Sequence, residues 1–263
     1  MAKQPIHSRP VRKAAASKKT EQNPVDQKPK SDLEDPGNIV TEKTLTLHTK
    51  EALKIFKGRR ADPENGVKDI PGLSIYGTML RHIWGCAVAG DLYAQWWIQK
   101  LETNLKNTEA DYRKVQEELE KLKGSVADRI DLSKSEATDP VAVNVSYATP
   151  YMYLIIYRLI DLDNLIASLI TLRHIAIINP AQFEHFRKNI SGSMQTILLG
   201  LRRFKQTGVL LEDVKEGNAR YQKAVSELGE LPDDIKSGKY VPEHMPRKSV
   251  KIFGFGSKKG EKS

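Results

Sequence analysis

The chain has 263 residues, 39% of them apolar, and a formal net charge of +9, which suits one large domain or two small ones with flanking tails. The excess charge lies at the ends: residues 1–35 carry +3, residues 236–263 carry +6, and residues 36–235 are neutral. Cys86, the single cysteine, excludes an intrachain disulfide and a cysteine-based metal site within one chain. The uncharged run from Pro140 to Tyr157 is too short to span a bilayer, and no apolar leader follows Met1. A soluble, cytoplasmic protein with no membrane partner is expected.

Residues 1–36 are rich in Lys, Ser, Gln, Pro and Asp and form a disordered basic tail on composition. Such a tail attracts phosphate without regard to sequence, or simply keeps the chain soluble. From Ile39 the pattern alternates, with Leu45 and Leu47 on one face and Thr44 and Thr46 on the other, which predicts a strand. Thr49 can cap a helix whose apolar side is Ala52, Leu53 and Phe56, and Gly58 ends it. This stretch, 43–60, holds six basic residues against one acid, Glu51.

A loop with Pro63, Gly66, Pro71 and Gly72 follows, and Ser74 is placed to cap the next helix. From Ser74 that helix is expected to run through Met79 and Trp97 to Leu101, bending near Gly85 or Gly90. Leu101, Leu105, Thr108, Tyr112, Val115, Leu119 and Leu122 then recur at heptad spacing. Such a seam serves a short coiled coil, or a long helix packed on its own domain or on a second subunit.

Residues 124–139 read as a polar loop. Val141, Val143, Val145 and Tyr147 alternate with small or polar residues, predicting a second strand that can pair with the first. Pro150 opens a helix of nearly continuous apolar character reaching Ile178, a central core helix. Further helices are expected over Ala181 to Lys205 and Leu211 to Leu228, before a mobile, basic tail from 236 to 263.

No phosphate-binding loop, dinucleotide fingerprint or nucleophile elbow is present. His82 and His174 lie in apolar patterns and are expected in the core. Asp161 and Asp163, two residues apart, do not face one another on a helix. Tyr151, Tyr153 and Tyr157 follow the apolar pattern of a core. An enzyme is not expected, and no cofactor or metal is called for.

A strand feeding a basic helix is how a ribbon-type DNA reader begins. Two chains pair their strands; one face covers the dimer core and the other enters the major groove. On that pattern Thr44, Thr46 and His48 face the bases. Lys43, Lys50, Lys54, Lys57, Arg59, Arg60 and the helix start at Ser74 meet phosphates, and Leu45, Leu47, Leu53 and Phe56 form the dimer core. An ordinary edge strand followed by a solvated basic helix has the same pattern.

Leu45-Thr46-Leu47-His48-Thr49-Lys50 with Ala52 and Gly58-Arg59 resembles the signature segment of the AcaB-like family. These are transcriptional regulators of conjugative transfer on integrating conjugative elements and conjugative plasmids, described as ribbon-helix-helix-like. Three further stretches are similar to the same family: Asp91 to Trp97, Leu172-Arg173-His174, and Asp213 to Gly217 with Leu231-Pro232.

The resemblance implies a homodimer that binds a double-stranded promoter operator and activates transfer genes. The expected fold is mostly α with a small β ribbon: a ribbon-helix-helix-like element elaborated by a long helix and a C-terminal helical body. The expected organisation is a tail over 1–36, a DNA-binding and dimerisation region over 37–100, and the heptad helix, loop and second strand over 101–149. A helical body over 150–235 and a tail over 236–263 complete it, with the helices beyond residue 73 expected to serve dimerisation and recruitment of RNA polymerase or another partner. The connector from Arg60 to Gly72 departs from the short turn usual in ribbon-helix-helix proteins. A one-residue slip of the strand would exchange its faces. The alternative function is a non-enzymatic nucleoprotein component of a conjugation system that binds DNA without sequence preference.

Overall fold

A computed structural model describes residues 43–61, 64–66, 69–125 and 139–245. The tail over 1–36 and residues 246–263 lie outside the described residues. Strand β1, Thr44–Leu47, buries Leu45 and Leu47 and exposes Thr44 and Thr46, as its alternation dictates. It pairs antiparallel with β2, Val141–Asn144, in a two-stranded sheet with Leu45 opposite Val143 and Leu47 opposite Val141. A one-residue slip would bring both leucines into water at about 1.5–3 kcal/mol each, so the register is firmly set. The second strand stops at Asn144, short of the expected Tyr147, although the Val145 N–H still bonds the Lys43 carbonyl at 2.8 Å.

Helix α1, Lys50–Lys57, begins at Thr49, whose hydroxyl oxygen accepts the Ala52 N–H at 3.2 Å. It ends at Gly58, whose φ of 77° suits a residue without a Cβ. Arg59 and Ile70 then exchange two backbone hydrogen bonds of 2.7 Å, so the chain that left α1 comes back beside the end of that helix. Gly72 lies against the Lys57 carbonyl; a Cβ there would sit 2.4 Å from its oxygen. Helix α2, Leu73–Val88, starts from this contact with Gly72 as its N-cap. Ser74 is therefore the second residue of the helix and not its cap, because the close approach to Lys57 fixes the helix start two residues earlier.

The long helix expected to run from Ser74 to Leu101 and beyond is broken at Gly90, where φ is 98°. Asp91 caps the new helix α3, Leu92–Gly124, by accepting the N–H groups of Tyr93 and Ala94 at 3.0 and 3.2 Å. The heptad seam of α3 faces its own chain. It packs against α4, Pro150–His174, and α5, Pro180–Arg202. Leu101, Leu105, Thr108, Tyr112 and Leu119 are buried there. The Tyr112 hydroxyl donates to the Ile190 carbonyl at 3.0 Å. The core helix α4 ends at His174 and not at Ile178. Asn179 then opens α5 with a reciprocal capping box to Gln182.

The single expected helix over Leu211 to Leu228 is two, α6 (Leu211–Glu216) and α7 (Ala219–Leu228), separated by left-handed Gly217 and the Asn218 cap. With α8, Asp233–Lys236, they enclose a second small cluster of Leu92, Tyr93, Val209, Leu231 and Ile235. Asp91 fastens this part to α3, accepting the N–H groups of Thr207 and Gly208 at 3.1 and 2.7 Å. Residues 236–245, expected to open the mobile tail, are held instead. Glu102 accepts the Tyr240 hydroxyl at 2.8 Å and the Glu243 N–H at 2.9 Å, and also the hydroxyl of Tyr151.

His82 and His174, expected in the core, lie at the surface because each falls on the outer side of its helix. Tyr151 is buried and Tyr153 half-buried, whereas Tyr157 is exposed, contrary to expectation. No helix among the described residues is long and apolar enough to cross a membrane.

Candidate nucleic-acid interface

The exposed face of the sheet carries Thr44 and Thr46 from β1 beside Asn144 and Ala142 from β2, in direct cross-strand register. Below it, Leu45 and Leu47 enter the main hydrophobic core of the same chain. Leu53 and Phe56 of α1 pack against that core and keep part of their surface open. Leu45 and Leu47, assigned to a dimer core, are thus already covered within one chain. Leu53 and Phe56 retain surface that a second subunit can bury.

The backbone geometry of β1 defines a second surface. In an antiparallel ladder successive residues point their N–H and C=O groups to opposite sides. The Lys43 carbonyl takes the Val145 N–H, so Lys43, Leu45 and Leu47 turn toward β2. Thr44 and Thr46 therefore aim their backbone groups at the other edge, and no described strand pairs with that edge.

The basic residues are positioned differently from one another. Lys50, Lys54 and Lys57 are exposed and recur at spacings of four and three, so they form one stripe along α1. Arg59 and Arg60 are exposed just beyond its end. Lys43 is tethered: its Nζ lies 3.1 Å from the Tyr153 hydroxyl and 4.3 Å from the centre of that ring. The Tyr153 hydroxyl also accepts the Tyr147 N–H at 3.2 Å. This N–H, with the Lys43 ammonium, holds the phenol below its usual pKa despite opposing desolvation. Ser74 is exposed in the first turn of α2, where leading N–H groups lack intrahelical partners.

His48 occupies the turn between β1 and α1, and a distant residue holds it. Buried Asp163 of α4 accepts the His48 N–H at 2.8 Å, and its Oδ2 lies 3.0 Å from His48 Nδ1. Its other oxygen accepts the Thr49 N–H at 2.8 Å and the Thr49 hydroxyl at 2.6 Å. One carboxylate thereby fixes both the end of the strand and the cap of the helix. His48 is exposed, and Nδ1 is the imidazole nitrogen that Asp163 engages.

Asp163, Asn144 and Tyr153 were not among the candidate site residues: Asp163 was set aside as no part of a paired-carboxylate site, Tyr153 was expected in the core, and Asn144 was not singled out. Asp163 had a readable signal, a carboxylate spaced four from Leu159 and three from Ile166 on the apolar side of a core helix. Asn144 could be ranked only once its opposite residue, Thr44, was known. Among the described residues, no group of His, Cys, Asp and Glu is placed to hold a metal ion.

The family model described as transcriptional regulator AcaB matches residues 35–248. Among solved structures, the chain is similar to selenomethionine-containing AcaB from uropathogenic E. coli. The TM-score is 0.48 with 13% identity, over 77% of this chain and 97% of that one. None of the curated proteins matches in sequence.

Proposed function

The chain belongs to the AcaB family of transcriptional regulators, and from that premise we propose that it is a homodimer reading double-stranded promoter DNA with its β1 strands. Two copies of β1 pair through the edges that carry the Thr44 and Thr46 backbone groups. The paired strands enter the major groove, which admits a two-stranded β ribbon. Thr44 and Thr46 offer a hydroxyl and a methyl to base edges; His48 offers Nε2 at the ribbon end. Lys50, Lys54, Lys57, Arg59, Arg60 and the α2 start at Ser74 set position on the phosphates, with Lys43 steadying the ribbon from Tyr153. Leu53 and Phe56 contribute to the subunit contact.

The observation that carries this reading is the two-sided build of β1: threonines exposed above buried leucines, beside a backbone edge that no described strand pairs with. Activation of conjugative transfer genes follows from the family resemblance; contact with RNA polymerase through the helical body and residence in the cytoplasm on plasmid or nucleoid DNA belong to the same proposal.

Crosslinking the protein to DNA in cells and sequencing the recovered fragments identifies the operator. Titration of purified protein on that site and on a scrambled duplex, across a salt series, then tests the reading. A sequence reader keeps a specific-to-nonspecific ratio of about 10³ or more. A ratio near one at every salt concentration would instead favour a nucleoprotein component that binds through charge alone. Thr46→Ala should relax preference at a base position by roughly 1 kcal/mol. Arg59→Ala should weaken all sequences alike and flatten the salt slope.

A further inference from the structure

Resting on that reading, we propose that Asn144, on the flanking strand β2, is a further DNA-contacting residue that donates a hydrogen bond to a backbone phosphate at the wall of the major groove. Asn144 stands directly across from Thr44 and is exposed on the same face. Asparagine is depleted from strands, and this one caps no helix and makes no side-chain hydrogen bond to a described residue. Strand stability therefore does not account for it.

The width of the sheet decides what it touches. Pairing two β1 edges gives the order β2-β1-β1-β2, and three strand spacings of about 4.8 Å place the outer strands about 14 Å apart. The major groove is about 12 Å wide. The central pair fits between the walls and the flanking strands stand above them. There the partner is a phosphate oxygen, an acceptor, and the amide N–H₂ of Asn144 is a donor. Ala142, opposite Thr46, has no hydrogen-bonding side chain. Each subunit thus supplies a single such contact from β2, and the two-fold axis of the dimer repeats it. An uncharged donor adds affinity without releasing a counterion.

The test uses the full chain and a fluorescein-labelled duplex carrying the site recovered by crosslinking, read by anisotropy. Asn144→Ala should weaken binding about tenfold for the two contacts in the dimer. The loss should be equal on the operator and on its single-base variants, with the salt slope unchanged. Asn144→Asp should weaken binding further, and Asn144→Lys should strengthen it on every sequence and steepen the salt slope. Unchanged affinity of Asn144→Ala, or a changed base preference, would overturn the placement. Thr46→Ala, measured alongside, separates the two levels. If it leaves base preference intact, the ribbon reading itself fails and this inference with it. If it relaxes preference while Asn144→Ala is silent, only the placement of Asn144 fails. The position is exposed, and circular dichroism confirms that each variant is folded.

Discussion

Replacing Asp163 with alanine removes a buried carboxylate that four groups depend on: the His48 N–H and imidazole, and the Thr49 N–H and hydroxyl. The Thr49 hydroxyl oxygen still accepts the Ala52 N–H, but its own proton and the Thr49 amide are left buried without an acceptor. Each buried donor stranded in this way costs about 1–3 kcal/mol, so the two on Thr49 together cost about 2–6 kcal/mol. Against a total stability of about 5–15 kcal/mol, this is a large fraction. At about 2–4 °C per kcal/mol for a unit of this size, the melting temperature should fall on the order of 10 °C. Asp163→Asn keeps the shape and one acceptor oxygen, but it sets an N–H₂ group against a donor. It should lose about 1–3 kcal/mol. Urea unfolding followed by circular dichroism measures both. An alanine variant within about 0.5 kcal/mol of the parent would show that the clasp contributes nothing, and the account of how β1 is fixed to α4 would be wrong.

Three other outcomes follow from the packing and charges. Gly72→Ala should destabilise by about 1–3 kcal/mol in the same assay, because its Cβ would meet the Lys57 carbonyl and backbone must move. Leu119→Asp should destabilise by at least about 3 kcal/mol, since the side chain is buried in its own subunit. Altered assembly by light scattering at unchanged stability would place the seam in a subunit interface instead. The Leu210 N–H, then Asn218 and Arg220, hold the Asp213 carboxyl below its ordinary pKa. A depressed carboxylate stabilises the fold above its unfolded pKa of about 4 and loses that contribution as pH falls through the lower folded value. The stability gap between the parent and Asp213→Asn should therefore be full above about pH 4 and close in stronger acid. A gap that is constant with pH would contradict the assignment.

What the sequence disclosed depended on the range of the interaction. The faces of β1 were readable because alternation is a local property and burial simply followed it. The core character of α4 was readable for the same reason. The pairing of β1 with β2 was one option among several, since pattern alone does not choose a partner about a hundred residues away. The heptad spacing of α3 correctly marked a buried seam, yet spacing does not say whether the opposing surface belongs to the same chain. At Gly90 a bend was legible and a full break was not, and the break at Gly217 was hidden because apolar spacing continued across it; the capping roles of Asp91 and Asn218 settled both. The C-terminal stretch near Tyr240 looked like a tail in composition. Its retention depends on Glu102, a residue with no sequence mark. Asp163 illustrates the limit: its type and place on α4 were unusual, but its four partners lie about 115 positions earlier.

The backbone bridge between Arg59 and Ile70 bears on how this protein tolerates change. Helix α2 takes its position from the contact of Gly72 with Lys57, so the segment beyond the bridge does not transmit its own length to the helices. Gly66, with φ of 65° and open space around it, lies within that segment. Lengthening or shortening the excursion should not re-aim α1 against α2, and an epitope tag inserted at Gly66 should leave operator affinity unchanged. The connector is then a place where length can change at little cost to folding, and where a labelling site can be added.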